Sequence, residues 1–508
     1  MLNAPHLQAL QRLGTAWPPP KSDRPARIAW LMPSLIEGSG GHRTILQNVQ
    51  ALIERGHDCH LFVEHASCAE ISGEAAQLEA IQTELLKFFG FASDKVHLGF
   101  TIPPGFDLIF ATAWHTAQVA AWSAVSRKAY FVQDFEAFFM PMGDGFLMAE
   151  NSYRLGLTPV SIGRWLTHRL NSEFGSFGSY FDFCADHAVY RPLETVSSEQ
   201  AVCMICQPEK PRRCPRLGID ALGIVKHHRP DVKILLYGSK DKPHIWYEHE
   251  WHGLLSVRAC NELYNRAKVG LCISSSNPSR IPFEMMSAGL PVVDIHRENN
   301  LYDQPDDCVS LAGTRADDIA RAIMQLLDDD RRRDLMAQNG RRFMAERSLE
   351  HGYRQFIVAT ETILQGGEHE FVPISRGVRR VYHRPPVLAC HGAPQPHSIV
   401  QDGVRASGVA EGSARQMIEA KNELGEILRS RAWRTMLRLK RMPPYNVIAR
   451  LRFGPDWDRV DPGEDPRARL HRLKASRAYR VIQASKRTMV YQWFADRKYG
   501  PTEPRGPG

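Results

Sequence analysis

From residue 27 onward the chain alternates between short apolar runs and amphipathic stretches. RIAWLMPSLI (27–36) is an apolar, β-rich run, followed by the glycines Gly38, Gly40 and Gly41. In RTILQNVQALIERG, Ile45, Val49, Leu52 and Ile53 fall on one face at helical spacing, and Gly56 supplies the stop. DCHLFVEH (58–65) reads as the next strand. Strand, glycine loop, helix, strand is a right-handed β-α-β unit, the opening of a doubly wound domain. Further strands are predicted at KVHLGF, DLIFAT, KAYFVQDF and LTPVSI, with helices between them.

A second alternation starts at AVCMICQP (201–208). A helix carrying Leu217, Ile219, Ala221, Leu222 and Val225 leads to the strand KILLYGS (233–239). Then come a helix around ELYNRAK, the strand VGLCISS, a helix FEMMSAGL opening near Phe283, and the strand PVVDIH. Helices over 315–327, 330–346 and 349–365 complete the unit. The fold class expected is α/β, with two doubly wound, Rossmann-like domains facing a cleft. The boundaries read as an N-terminal helix and linker over 1–25, marked by PPP at 18–20, then domains over 26–192 and 193–348. Residues 349–365 form a crossover helix long enough to pack back on the first domain. Residues 366–420, rich in Gly, Pro, His and Ser without periodicity, read as a linker, and 421–508 as a basic helical tail.

Composition narrows the classes. A chain of 508 residues holds about three domains. With 43% hydrophobic and 24% charged residues, it is not a disordered, collagenous or disulfide-scaffold protein. The net charge of +8 is unevenly placed: residues from 366 onward hold 27 basic and 14 acidic side chains, leaving a mildly acidic body. The ten cysteines lack framework spacing, as expected in a reducing cytoplasm. Cys203 and Cys206 have C-x-x-C form but sit inside a buried strand, and zinc would need a second pair at ligand spacing. The N-terminus lacks the basic start and apolar core of a signal peptide. The most apolar long window, 106–125, contains Asp107 and His115 and reads as strand plus helix rather than a membrane span.

Candidate chemistry concentrates in SSSNPSRIPFEMMSAGLPVVDIH. A strand ends near Ser274, a polar loop containing Ser276 and Ser279 turns the chain, and a helix opens. A helix N-terminus offers free amides and partial positive charge, which suits a nucleotide diphosphate. Glu284, in the first helical turn, can accept ribose hydroxyls or simply cap its helix by charge. The loop LIEGSGGHRTIL lets backbone at Gly40 and Gly41 approach a phosphate or sugar, although a tight turn needs glycine anyway. There is no G-x-G-x-x-G, so a nicotinamide dehydrogenase is not expected. ATAWHTA places His115 just past a strand's C-terminal end, where doubly wound sheets put their ligands. Asp134 and Glu136 are paired acids at another strand end, and one can take a proton from a hydroxyl.

FEMMSAGLPVV resembles the donor-site signature of retaining glycosyltransferases of family 4, which have the two-domain GT-B fold. The family pattern carries two glutamates with seven residues between them. Glu284 matches the second, which holds the nucleotide ribose; Ser276 stands at the first. The form N-P-S-x-x-P-x-E, together with the segment VQDFEAFFMPMGDGFLMAENSYRLGLTPVSIGRWLTHRL, is similar to a subgroup of S-layer and surface-polysaccharide rhamnosyltransferases, so the resemblance covers roughly residues 27–365. It implies transfer of a sugar from a nucleotide-diphosphate donor to a glycan or lipid-linked oligosaccharide, with rhamnose from dTDP-rhamnose as first expectation. It implies retention through front-face attack assisted by the donor's phosphate. The donor-binding set becomes Gly40, Gly41, Lys210, Arg212, Arg213, Gly238, Ser239, Ser276, Ser279 and Glu284. His42, Asp134 and Glu136 are assigned to acceptor binding, and His115 and Glu284 to catalysis. No metal or other cofactor is expected. Alternatives are a nucleotide-sugar epimerase or phosphorylase of the same fold, or a non-catalytic carbohydrate-binding or scaffold protein with a degenerate site.

The tail holds an internal repeat: SRAWRTMLRLKR (430–441) and SRAYRVIQASKR (476–487). Arg431, Arg434, Arg438 and Arg441 share a helical stripe beside Trp433, Met436 and Leu437. Basic stripes beside aromatics bind anionic lipid or nucleic acid. The S-R-A-W-R element resembles a motif appended to polysaccharide glycosyltransferases. It points to an anionic membrane surface, contacted through residues 421–498, ahead of a helical hairpin packing on its own chain or a partner, and of nucleic acid. The expected location is the cytoplasm, peripheral on the inner face of the plasma membrane.

Overall fold

A computed structural model describes residues 24–64 and 73–389, together with 423–424, 427, 466–476 and 479. The chain divides into two compact units at residue 400.

The first unit is built on two wholly parallel sheets. Strands β1 (Arg27–Met32), β2 (Asp58–Val63), β3 (Val96–Leu98), β4 (Leu108–Ala111), β5 (Arg127–Val132), β6 (Thr158–Ile162) and β7 (Ser179–Phe181) are ordered β3-β2-β1-β4-β5-β6-β7. Strands β8 (Ala201–Ile205), β9 (Lys233–Tyr237), β10 (Glu250–Trp251), β11 (Val269–Leu271), β12 (Val292–Ile295) and β13 (Val309–Ala312) are ordered β10-β9-β8-β11-β12-β13. The central strands are nearly unbroken apolar runs because helices cover both faces of each sheet. Ile28 to Met32 and Leu108 to Ala111 are buried throughout. Both sheets reverse direction of growth beside their first strand, β1/β4 in one and β8/β11 in the other. In such sheets the loops leaving the carboxyl ends at that reversal form a crevice.

Helix α1 (Gly40–Glu54) follows β1, α2 (Glu74–Glu84) follows β2, and α3 (Trp114–Trp122) follows β4. The first lobe adds α4 (Asp144–Ser152) and α5 (Arg164–Phe174). The second lobe carries α6 (Pro215–His228), α7 (Val257–Arg266), α8 (Arg280–Ala288), α9 (Ala316–Asp328) and α10 (Asp330–Ala345). Helix α11 (Leu349–Leu364) then returns to the first lobe. Its Phe356 is fully buried among Trp30, Phe110, Phe131 and Phe181, with ring centroids 5.4–6.0 Å away. Glu361 receives Arg55 Nε at 2.7 Å, which fixes the far end of the helix. On the other flank, Asp303 accepts from the Arg164 and Trp165 amides at 2.8 and 3.2 Å, so a second-lobe carboxylate caps a first-lobe helix.

The chain after α11 departs from the linker expected there. Residues 366–389 fold onto the body: helix α12 (Phe371–Gly377) forms, and Phe371, Val378 and Tyr382 are buried. Ser375 Oγ bonds both backbone groups of Gly178, and Val387 pairs with Ala312. Three scattered apolar side chains, the Ser375 bonds and the Val387 pairing dock it, a pattern with no period to detect.

In the C-terminal unit, helix α13 (Pro466–Ala475) carries Leu470, which clusters with Leu424. Lys474 Nζ pairs with Glu423 at 2.6 Å. The N-terminal helix expected over 1–25 up to Asp23, the first arginine stripe, and most of the repeat lie outside the described residues. No helix among the described residues is long and apolar enough to cross a membrane.

Candidate functional site

The first lobe contributes the loops leaving β1, β4 and β5. Gly38 turns the first of these at φ +73°. Ser39 then caps α1, its Oγ accepting from the His42 amide at 3.3 Å and lying 2.9 Å from His42 Nδ1. His42 is buried, its Nε2 is 3.4 Å from the Pro33 carbonyl, and burial holds its pKa below the ordinary value. The imidazole therefore braces the loop. What the loop offers outward is backbone: a Cβ on Gly40 would meet nothing within 4 Å, and one on Gly41 would lie 3.5 Å from the Gln133 amide nitrogen.

His115 sits one residue into α3, its side chain one-third exposed, with Nε2 3.8 Å from Glu64 Oε2. Burial lowers its pKa against the opposing pull of Glu64. That same Glu64 oxygen accepts from Ser34 N at 3.1 Å and Ser34 Oγ at 3.0 Å. Ser34, Glu64 and His115 thus meet just past the ends of β1, β2 and β4. Sequence reasoning named only the histidine, and the position of Ser34 and Glu64 just after strand ends was the one available signal.

The paired acids diverge. Glu136 turns back into the lobe, accepts the Trp114 amide at 2.8 Å and so caps α3. Its burial pushes its pKa up to about 8. Asp134 points the other way, toward the second lobe, and burial raises its pKa as well.

In the second lobe, Ser274 ends the β11 segment on the buried carboxylate of Asp294, through its amide at 2.8 Å and its hydroxyl at 2.6 Å. Asp294 also accepts the Ile295 amide at 2.8 Å and the Gln304 side chain at 3.3 Å, and burial lifts its pKa to about 6. This anchor sets the course of the loop to Ser279. Ser279 is extended, with ψ 155°, and its Oγ accepts from Ile281 N, so α8 opens at Arg280 rather than near Phe283. Pro282 does not stop it, because a first-turn proline lacks only an amide that has no helical partner. Glu284 consequently lies in the second turn, not the first. It is half-buried, bonded to the Tyr190 hydroxyl, and flanked by Arg280, Arg43 and Arg213; burial nonetheless raises its pKa.

The basic segment leaves β8 beside this loop. Arg213 Nη1 donates to Ser279 Oγ at 2.7 Å, and Ser275 Oγ donates to the Arg212 carbonyl at 2.6 Å. Lys210 is half-buried, with its pKa lowered by burial. Cys214, at φ 45°, is the one non-glycine residue with positive φ among the described residues, a strained turn directly before α6. Gly238 has φ +112°, accepts from Gln207 Nε2 at 3.0 Å, and leaves no room for a Cβ, which would lie 2.7 Å from Ile205. Ser239 follows it at the edge of the crevice, half-buried.

Four side-chain contacts join the lobes here. Arg212 Nη1 is 3.4 Å from Asp134 Oδ2, and Ser276 Oγ donates to the same oxygen at 3.2 Å. Asn277 Nδ2 donates to the Gln133 carbonyl at 2.8 Å, and Arg280 Nη1 to Thr44 Oγ1 at 3.0 Å. Asn277 and Arg280 were not singled out from sequence. Around them, the buried atoms Arg213 Nε, Arg280 Nε and Asn277 Oδ1 have no hydrogen-bond partner. The two arginine Nε groups are unmet donors and Asn277 Oδ1 an unmet acceptor. The donors, with the Arg212 guanidinium and the capped helix start, favour an anion with several oxygens. A cavity of about 450 Å³ lined by Phe100, Ile102, Phe106 and Trp122 lies at the opposite end of the first sheet and takes no part.

Solved structures share this fold. Sucrose-phosphate synthase from Thermosynechococcus elongatus superposes with a TM-score of 0.52 at 14% identity, over 67% of this chain and 100% of its own. HepE from Anabaena, solved in complex with UDP-glucose, superposes with a TM-score of 0.50 at 15% identity, over 66% of this chain and 98% of its own. The architecture is GT-B. Within its second GT-B lobe, residues 200–324 match the family model described as WsaF, C-terminal domain. The O-antigen biosynthesis protein RfbC of Myxococcus xanthus is 28% identical over 227 residues, 43% of this chain and 18% of that protein. The chain thus spans less than a fifth of the length of that curated relative. The GT-B cleft is where the site residues from both lobes converge.

Proposed function

We propose that the protein is a glycosyltransferase of polysaccharide biosynthesis that takes a sugar from a nucleotide diphosphate donor. The observation that carries this reading is the second-lobe constellation: Arg212, Arg213 and the Ser279-capped start of α8, with buried unpaired guanidinium nitrogens and the Glu284 carboxylate one turn further on. The likeness to the WsaF C-terminal domain and to an O-antigen biosynthesis protein supports the polysaccharide context. Arg212 and Arg213 would neutralise the leaving diphosphate, whose charge rises as the glycosidic bond breaks. Glu284 would accept ribose hydroxyls, and backbone at Gly40, Gly41, Gly238 and Ser239 would line the donor. The acceptor would enter along the first lobe past His115, with Glu136 supporting α3 from behind. Rhamnose from dTDP-rhamnose is the proposed donor, transfer proceeds with retention, and the acceptor is a surface glycan or its lipid-linked precursor.

The test is thermal-shift screening of the full chain with dTDP, UDP and GDP. One of them should raise the melting temperature, and Glu284→Ala should abolish that rise while leaving the unliganded melt near wild type. Absence of stabilisation by all three nucleotides would sink the reading.

A further inference from the structure

We infer that Asp134 is an internal stand-in for the donor's diphosphate: from the opposite lobe its carboxylate occupies the subsite formed by Arg212 and Ser276, and the donor must displace it. The inference rests on reading the second-lobe site as one for nucleoside diphosphates. Its basis is geometric. Asp134 is 9% exposed, and its two oxygens have separate tasks. Oδ1 accepts the amide of Phe135 at 2.9 Å, which fixes the side chain's direction. Oδ2 reaches across to Arg212 Nη1 at 3.4 Å and Ser276 Oγ at 3.2 Å. A guanidinium and a hydroxyl converging on one oxygen is the pattern a phosphate oxygen would use. The Arg212 guanidinium lies over the Phe139 ring at 4.7 Å, so its head is held in place rather than free to follow another partner.

The charge balance explains why displacement is favourable. Arg212 and Arg213 both act on the buried Asp134 carboxylate, and the Arg213 and Arg280 Nε groups remain unpaired. One carboxylate offers too few oxygens for these donors. A diphosphate brings more charge and more acceptors, but it meets a like charge unless Asp134 withdraws or takes a proton. Donor affinity is therefore set by competition between two anions for Arg212. The neighbouring bonds from Asn277 to Gln133 and from Arg280 to Thr44 join the lobes at the same point.

Isothermal titration calorimetry of the full chain with UDP, dTDP and GDP tests this. Asp134→Asn keeps the shape but removes the competing charge, and should tighten the bound nucleotide at least fivefold. In an Arg212→Gln background the same substitution should change affinity less than twofold, because competition requires Arg212. Asp134→Ser, checked for folding by its melting curve, gives the same comparison if the asparagine variant is unstable. Binding by wild type with unchanged or weaker affinity in the Asp134 variants would overturn the inference alone. Failure of wild type to bind any of the three would remove the donor reading, and this inference with it.

Discussion

Asp294 is the residue through which the donor loop depends on the core of the second lobe. Its carboxylate, fully buried on β12, receives the Ser274 amide and hydroxyl, the Ile295 amide and the Gln304 side chain. In Asp294→Ala these four donors, and Asn300 Nδ2 at 3.5 Å, lose their acceptor. Each unsatisfied buried group costs about 1–3 kcal/mol, and partial relaxation brings the total to about 4 kcal/mol. Asp294→Asn retains one oxygen for the two backbone amides. Gln304 Oε1, which has no partner, can turn to accept from the new amide, so the cost falls to about 1 kcal/mol. The pH dependence follows the sign of the shift. This carboxyl ionises near pH 6 in the folded chain and near 3.8 when unfolded, so stability is highest below pH 4 with respect to this group. It is lost as pH rises to about 6, by about 3 kcal/mol, and the loss is constant above. Urea unfolding followed by tryptophan fluorescence at pH 4.5, 6 and 7.5 measures all three quantities. Wild type minus Asp294→Asn isolates this carboxyl from other buried acids. An alanine variant within 1 kcal/mol of wild type at pH 4.5, or an asparagine variant with the wild-type pH slope, would refute the account of the loop's anchor.

Two further outcomes are expected. Glu136, neutral at pH 7 because burial lifts its pKa to about 8, should make stability decline between pH 4.5 and 8. Glu136→Gln, which still accepts the Trp114 amide, should flatten that decline in the same urea titrations. If the tail serves membrane contact, the full chain should float with vesicles containing phosphatidylglycerol and not with neutral phosphatidylcholine vesicles. Equal recovery in both would exclude an electrostatic lipid contact.

The strands legible in the chain are those long enough to show an apolar run, such as β1, β5, β8 and β9. The strands missed were β7, β10 and β13, all at sheet edges and without a long apolar run around them. The opening of α8 was misplaced by three residues because Ser279 and Pro282 read as loop. Their role as cap and first-turn proline depends on the course set by Asp294.

The site divides along the same line. Glycines at a turn, arginines before a helix and a glutamate within one are patterns of near neighbours, so the sequence could propose Gly40, Arg212, Arg213 and Glu284. It paired Asp134 with Glu136 because they lie two residues apart. The fold sends Glu136 back to cap α3 and Asp134 forward to Arg212 and Ser276. His42 likewise turned inward, and Glu64 with Ser34 joined His115 from separate strands. Periodicity and turn chemistry act over a few residues, so they decide which segments become strands and helices and which ends face the crevice. Which polar groups meet across that crevice depends on how two sheets are set against each other by α11, Asp303 and the core beneath them, and no local pattern records that distance.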